Sequence, residues 1–245
     1  MKGTSFQKPL EFNLSVDGES WRQGDAISGL LKTRSHGTED GTEAIDWSEI
    51  GVYLAHGDLK KIRAKTEGAF KIIASHTATS EESQWKFQTD LSAPVTDSTS
   101  SLFLIYGFGK AYEKLGQLQV NLTPSQVLED FLKIFQIQHG FVRKSVKAGK
   151  GKTETKFAPP SSKEFVRLEL LLIKAHFAGE TLEVECEFNE KKIEASAAAL
   201  EVKKQKKQIK QSFGSTQYRT SSGRFNYETM EAAVAEILKQ PRALF

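Results

Sequence analysis

Apolar and polar residues alternate one by one along much of the chain. In LEFNLSV (residues 10–16), Leu10, Phe12, Leu14 and Val16 fall on one face and Glu11, Asn13 and Ser15 on the other. TLEVECEF (181–188) sets Leu182, Val184, Cys186 and Phe188 against Glu183, Glu185 and Glu187. A period of two predicts half-buried strands. Further strands are predicted over residues 26–35 and in SEIGVYLAH (48–56), AFKIIASHT (69–77), QWKFQTDL (84–91), SLFLIYGF (101–108), QLQVNL (117–122), FVRLELLLIKAHF (165–177) and IEASAAALEV (193–202). Their short, polar or glycine-containing connections suit antiparallel sandwiches better than a parallel sheet, which needs regular crossover helices.

Two segments change period. In TPSQVLEDFLKIFQIQHG (123–140), Val127, Leu128, Phe131, Leu132, Ile134 and Phe135 recur at helical spacing. Thr123 is the expected N-cap, Pro124 suits the first turn, Gln126 can complete a capping box and Gly140 can end the helix. In NYETMEAAVAEILKQP (226–241), Asn226 caps a helix whose stripe is Met230, Ala233, Val234, Ile237 and Leu238, ended before Pro241. Together these patterns predict an all-β chain. Two tandem immunoglobulin-like sandwich domains are expected, 1–122 and 141–245, with a helix at the junction (123–140) and one at the C-terminus.

The chain has 245 residues and a net charge of +3, unevenly spread: 13 Lys and Arg stand against 16 Asp and Glu in 1–122, and 21 against 15 in 123–245. A basic second part favours acidic partners through screened, long-range attraction. No apolar run approaches the roughly 18 residues of a membrane span, and the first residues lack the apolar core of a secretory signal. With Cys186 the only cysteine, no intrachain disulfide can form. The cytoplasm is the expected compartment.

Glycine-acid corners precede two of the alternating strands. In SWRQGDAISGLL, Trp21 lies three residues before Gly24-Asp25; in HFAGETLEVECEF, Phe177 lies two before Gly179-Glu180. Glycine permits the tight turn and the acid can accept nearby backbone N–H bonds, and the two corners are expected at equivalent places in two similar sandwiches. These paired corners resemble those of the arrestin-like superfamily, with Gln23 and Ala178 where proline is common. Phe87, Leu91 and Pro94 are similar to its F-x-x-x-L-x-x-P element, and a helix followed by His139-Gly140-Phe141 resembles its bacterial sporulation-control branch. The resemblance extends over most of the chain. It implies a non-enzymatic scaffold or regulator that presents sheet edges, loops and grooves to other proteins, with Gly24, Asp25, Gly179 and Glu180 as structural turns.

Candidate chemistry is sparse. Gly24 and Gly29 have P-loop spacing, but Leu30 and Leu31 follow where Lys and Ser or Thr are required; Gly151-Lys152-Thr153 lacks the first glycine, Val146 standing there. The five histidines, His36, His56, His76, His139 and His176, show no metal-binding spacing. Cys186 sits on the apolar side of its strand, the place of a small hydrophobe. The row Glu183, Glu185, Glu187 reads as the wet face of a strand. No catalytic residue, metal, cofactor or small-molecule substrate is predicted. The strongest surface feature is KKQKKQIK, with Lys203, Lys204, Lys206, Lys207 and Lys210. Such a run either meets an anionic surface, of nucleic acid or membrane, or guards an exposed strand against edge-to-edge pairing. Lys147, Lys150, Lys152 and Lys156 form a looser basic stretch on an expected hairpin. The expected partner is another protein, with an anionic surface or a second copy of the chain as alternatives.

Overall fold

The computed structural model describes residues 1–36, 45–149, 151–195 and 200–241. The chain divides into two compact units, Met1–Thr123 and Pro124–Phe245.

Among the described residues the first unit contains β1 (Lys2–Gln7), β2 (Leu10–Val16), β3 (Ser20–Arg22), β4 (Ala26–Ser35), β5 (Ile50–Asp58), the short helix α1 (Leu59–Arg63), β6 (Phe70–Thr77), β7 (Glu82–Gln88), β8 (Ser100–Phe108) and β9 (Gly116–Thr123). They form two sheets, ordered β1-β2-β4-β7 and β3-β9-β8-β5-β6. The pairing is antiparallel except where β3 runs parallel to β9. The alternating side of β2, with Ile27 and Leu31 of β4 and Trp85 and Phe87 of β7, faces Val52 and Leu54 of β5, Leu102, Leu104 and Tyr106 of β8 and Val120 and Leu122 of β9. Burial of these side chains, about 1.5–3 kcal/mol for each large one, is the main term holding the sheets together.

SLFLIYGF does not alternate, and the structure supplies the reason. Phe103 and Ile105 of β8 join Ala55 and Leu115 in a second apolar cluster on the reverse of the sheet, covered by Leu59 and Ile62 of α1 and by Tyr112. A strand covered on both faces needs apolar residues at every position. Gly29, in the middle of β4, is a packing requirement: a Cβ there would collide with the Ser15 carbonyl oxygen and lie 2.6 Å from Cζ2 of Trp85.

The second unit contains α2 (Gln126–Ile137), β10 (Val142–Ala148), β11 (Thr153–Ala158), β12 (Leu168–Ala178), β13 (Thr181–Ala195), β14 (Leu200–Phe213), α3 (Ser215–Tyr218) and α4 (Tyr227–Lys239). Its strands form one antiparallel sheet in chain order. The apolar side carries Phe157, Leu171, Ile173, Leu182, Val184, Cys186 and Phe188, all buried. Helices meet that side: Phe131 of α2 packs on Phe213 (ring centroids 5.8 Å), Phe135 stacks on Phe157 (5.9 Å) and Phe177 meets Tyr218 edge-on (6.2 Å). Met230, Val234, Ile237 and Leu238 of α4 are buried as their stripe predicts.

Three expectations change here. The second unit, expected as a sandwich, shows a single sheet among the described residues; α2 and α3 pack on its apolar side where an opposing sheet was expected, and α4 packs against those two helices. The cap of α2 is Ser125, whose Oγ accepts from the Leu128 N–H (3.3 Å), so Thr123 and Pro124 lie before the helix. Gln126 reaches Asp130 (2.7 Å) instead of closing a capping box. Gly140, at φ 69°, follows the helix as expected, with the Phe141 N–H donating back to the Phe135 carbonyl (2.9 Å). Lastly, IEASAAALEV is not one strand. Ala195 pairs antiparallel with Leu200, ending β13 and starting β14, while 196–199 lie outside the described residues.

Candidate interaction face

The two glycine-acid corners are both turns, but they occupy different places. Gly24 (φ 89°) carries the chain from β3, in one sheet, to β4, in the other. Its turn is closed by the Asp25 N–H donating to the Arg22 carbonyl (2.9 Å), and the Asp25 carboxylate accepts from the Arg22 N–H (2.8 Å). Leu91 of the F-x-x-x-L-x-x-P element packs over it, since a Cβ on Gly24 would stand 2.8 Å from Leu91 Cδ2. Gly179 (φ 61°) and Glu180 instead form the two-residue turn of the β12–β13 hairpin, within one sheet. There the Glu180 carbonyl accepts from the Tyr218 hydroxyl (2.6 Å) and its carboxylate from Ser215 Oγ (3.1 Å), so this corner anchors α3. The expectation of equivalent corners is corrected: similar tripeptides serve a crossing between sheets in one case and a hairpin in the other, because glycine satisfies any turn that needs a positive φ.

The hairpin fixes a register that converts the glutamate row into half of a charge lattice. Counting back from Gly179-Glu180, Lys174 lies opposite Glu185 and His176 opposite Glu183. Across the next pairing, Glu185 faces Lys210 and Glu187 faces Gln208. These residues share the side of the sheet away from the helices. Glu187, only 7% exposed, accepts from Lys206 (2.8 Å), Gln208 (3.4 Å) and Lys174 (3.5 Å). Glu185 accepts from Lys174 (3.4 Å) and Lys152 (3.5 Å).

The titration of these groups follows from the geometry. The Lys206 hydrogen bond, more than the opposing burial, holds the Glu187 carboxyl below its usual range, with Gln208 and Lys174 adding to it. For Glu185 burial is the largest single influence and works upward, but the hydrogen bonds and charges of Lys174 and Lys152 together outweigh it and lower the carboxyl. Burial likewise opposes the Lys174 ammonium, yet Glu185 and Glu187 more than offset it and raise its pKa.

The lysine run lies on β14, the last strand in the sheet order. It is largely tied into the sheet: Lys206 to Glu187 (2.8 Å), Lys207 to Glu190 (3.2 Å) and Lys204 to Glu169 (3.6 Å). Lys203 pairs in register with Lys192. Among the described residues Lys210 makes no ion pair. Placement on an edge strand agrees with a guarding role. Of the looser stretch, Lys147 is on β10, Lys156 on β11 and Lys152 between them, where the expected hairpin forms; Lys150 lies outside the described residues.

Cys186 is buried in the apolar layer, and desolvation, with a smaller push from Glu185, moves its thiol up to about 12. A thiol so placed is a hydrophobe, not a nucleophile, at neutral pH. Among the described residues no group of three His, Cys, Asp or Glu side chains could hold a metal ion, and no helix is long and apolar enough to cross a membrane.

No family model matches the chain, and no curated protein matches it. Among solved structures it is similar to Spo0M, a sporulation control protein from Bacillus subtilis, at a TM-score of 0.62 and 14% identity over 96% of this chain and 100% of that one. The expected likeness to a sporulation control protein is thereby shown for the fold.

Proposed function

We propose that this chain is a non-enzymatic cytoplasmic regulator that acts as a scaffold through protein–protein contacts, with the charged face of the second unit as its docking surface. The fold it shares with a sporulation control protein supports a regulatory role. The observation that carries the docking site is the lattice itself. Carboxylates and ammonium groups alternate across three strands on the side of the sheet away from the helices, at fixed register, and such a pattern selects a partner by charge complementarity more than by apolar area.

Affinity capture from the native host tests this with three proteins: wild type, Glu185→Lys, and the exchanged pair Glu185→Lys with Lys174→Glu. A partner specific to this face is retained by wild type and lost by the single reversal. The exchanged pair keeps the internal ion pair while inverting the pattern, so it also loses the partner. Identical protein sets on all three, or none at physiological salt, overturn the proposal.

A second reading, binding of nucleic acid or an anionic membrane through the lysine run, draws on the exposure of Lys204 (80%) and Lys206 (68%). The in-sheet glutamate partners weaken it. Retention on heparin that declines steeply with salt supports that reading, and no retention at low ionic strength removes it.

A further inference from the structure

One part of the charged face is hollow. A depression of about 170 Å³ opens where the start of β11, β12, β13 and β14 come together, lined by Lys152, Lys174, His176, Glu183, Glu185 and Lys210. Three ammonium groups line it against two carboxylates, and the cations are poorly satisfied. Lys152 and Lys174 share Glu185 at 3.5 and 3.4 Å, and Lys174 also reaches Glu187 at 3.5 Å, all well beyond the roughly 2.7–2.9 Å of a strong charge-assisted bond. Lys210 lies opposite Glu185 in register, yet makes no ion pair among the described residues. The fourth group, His176, contacts Glu183 through Nε2 (3.4 Å) and leaves Nδ1 buried without a hydrogen-bond partner. A buried polar atom without a partner costs free energy that a bound ligand can recover.

We propose that this depression binds a phosphoryl group, as the dianion of a phosphate monoester. Each ammonium has three N–H donors and each phosphoryl oxygen accepts several bonds, so one tetrahedral dianion can engage Lys152, Lys174 and Lys210 together. His176 Nδ1, when it carries a proton, adds a donor. Glu185 is then an occupant that competes for the same lysines, and this gives the proposal a sign that a diffuse basic surface does not share. The site goes beyond the docking reading above, and it uses only Lys210 of the five-lysine run.

Isothermal titration of the full chain with inorganic phosphate at low ionic strength tests it. The expected result is saturable binding that Lys210→Ala weakens about tenfold, the effect of losing one charge-assisted hydrogen bond. Lys203→Ala leaves the affinity unchanged, and Glu185→Gln tightens binding by removing the competing charge. Thermal unfolding of each variant checks that the sheet is intact; if Lys210→Ala unfolds it, the direction of the Glu185→Gln change decides. No saturable binding, equal losses in Lys203→Ala and Lys210→Ala, or weaker binding in Glu185→Gln each overturn the site.

Sedimentation with phosphatidic acid vesicles, against phosphatidylcholine controls, separates the two sources of the group. Lys210-dependent vesicle binding that inorganic phosphate competes away identifies a lipid headgroup. Binding of free phosphate alone identifies a soluble monoester. Vesicle binding indifferent to Lys210 overturns the site as the point of lipid contact.

The test is independent of the docking proposal. Loss of phosphate binding leaves the capture experiment standing, and failure of capture leaves the titration standing.

Discussion

The two units use the same residue-by-residue alternation to different ends. In the first, the apolar side of one sheet meets another sheet, and β8 is covered on its reverse as well. In the second, one sheet is covered by helices on one side, and its other side carries the ion-paired lattice around Glu185 and Glu187. Alternation therefore reports that one face of a strand is buried, without saying what buries it. Whether the opposite face is merely wet or chemically organised depends on which strands are neighbours.

The largest effect expected from breaking this comparison is in the aromatic cluster of the second unit. Phe135 touches Phe131, Phe141 and Phe157, and Phe135→Ala should cost about 3–5 kcal/mol, read as a lowered denaturation midpoint. A loss below about 1 kcal/mol would mean that α2 is not the layer holding the sheet. In the first unit, Gly29→Ala should cost about 1–3 kcal/mol by overpacking against Ser15 and Trp85. An unchanged melting temperature would show that β2 and β4 separate there at little cost.

Next in size is removal of the α2 cap: Ser125→Ala leaves the Leu128 N–H without its acceptor and should cost about 1 kcal/mol. Thr123→Ala serves as the control, expected to have little effect on the helix. The smallest change belongs to a single exposed member of the lattice. Lys206→Ala should cost no more than about 1 kcal/mol, because its side chain is 68% exposed.

Acid sharpens the contrast between the units. Glu185 and Glu187 have carboxyl groups held below the usual glutamate range in the folded state. A lowered folded pKa contributes stability that is present above the unfolded value and lost as pH falls through the folded one. The lattice should therefore weaken on acidification below about 4.5. The melting temperature of wild type should drop more between pH 7 and pH 3 than that of Glu187→Gln, which has no carboxylate there to protonate. Equal drops would show that Glu187 gains nothing from Lys206.

Much of the local structure was legible in the chain. LEFNLSV is β2 residue for residue, and Asn226 caps α4 as its position before the stripe implied. Gly24-Asp25 and Gly179-Glu180 are turns because both glycines hold a positive φ. Their equivalence failed because a tripeptide encodes a bend and not its destination. The Thr123 cap was displaced by two residues because Ser125 is an equally good acceptor closer to the first buried position, Leu128. Part of the lattice was also within reach: once Gly179-Glu180 is taken as a two-residue hairpin turn, the pairs Lys174 with Glu185 and His176 with Glu183 follow by counting. On β13 alone the glutamates form only a wet face; the lysines that organise them lie on β12 and β14.

The sequence by itself determined which residues alternate, where the two long helices run and where glycine must bend the chain, since each depends on neighbours a few positions away. Only the tertiary structure decided that helices cover the second sheet, that β8 is enclosed on both faces, and that Lys206 and Lys174 meet Glu187. Those outcomes depend on register between strands distant along the chain. Register is set by the combined burial of many side chains, so no single stretch of sequence carries it.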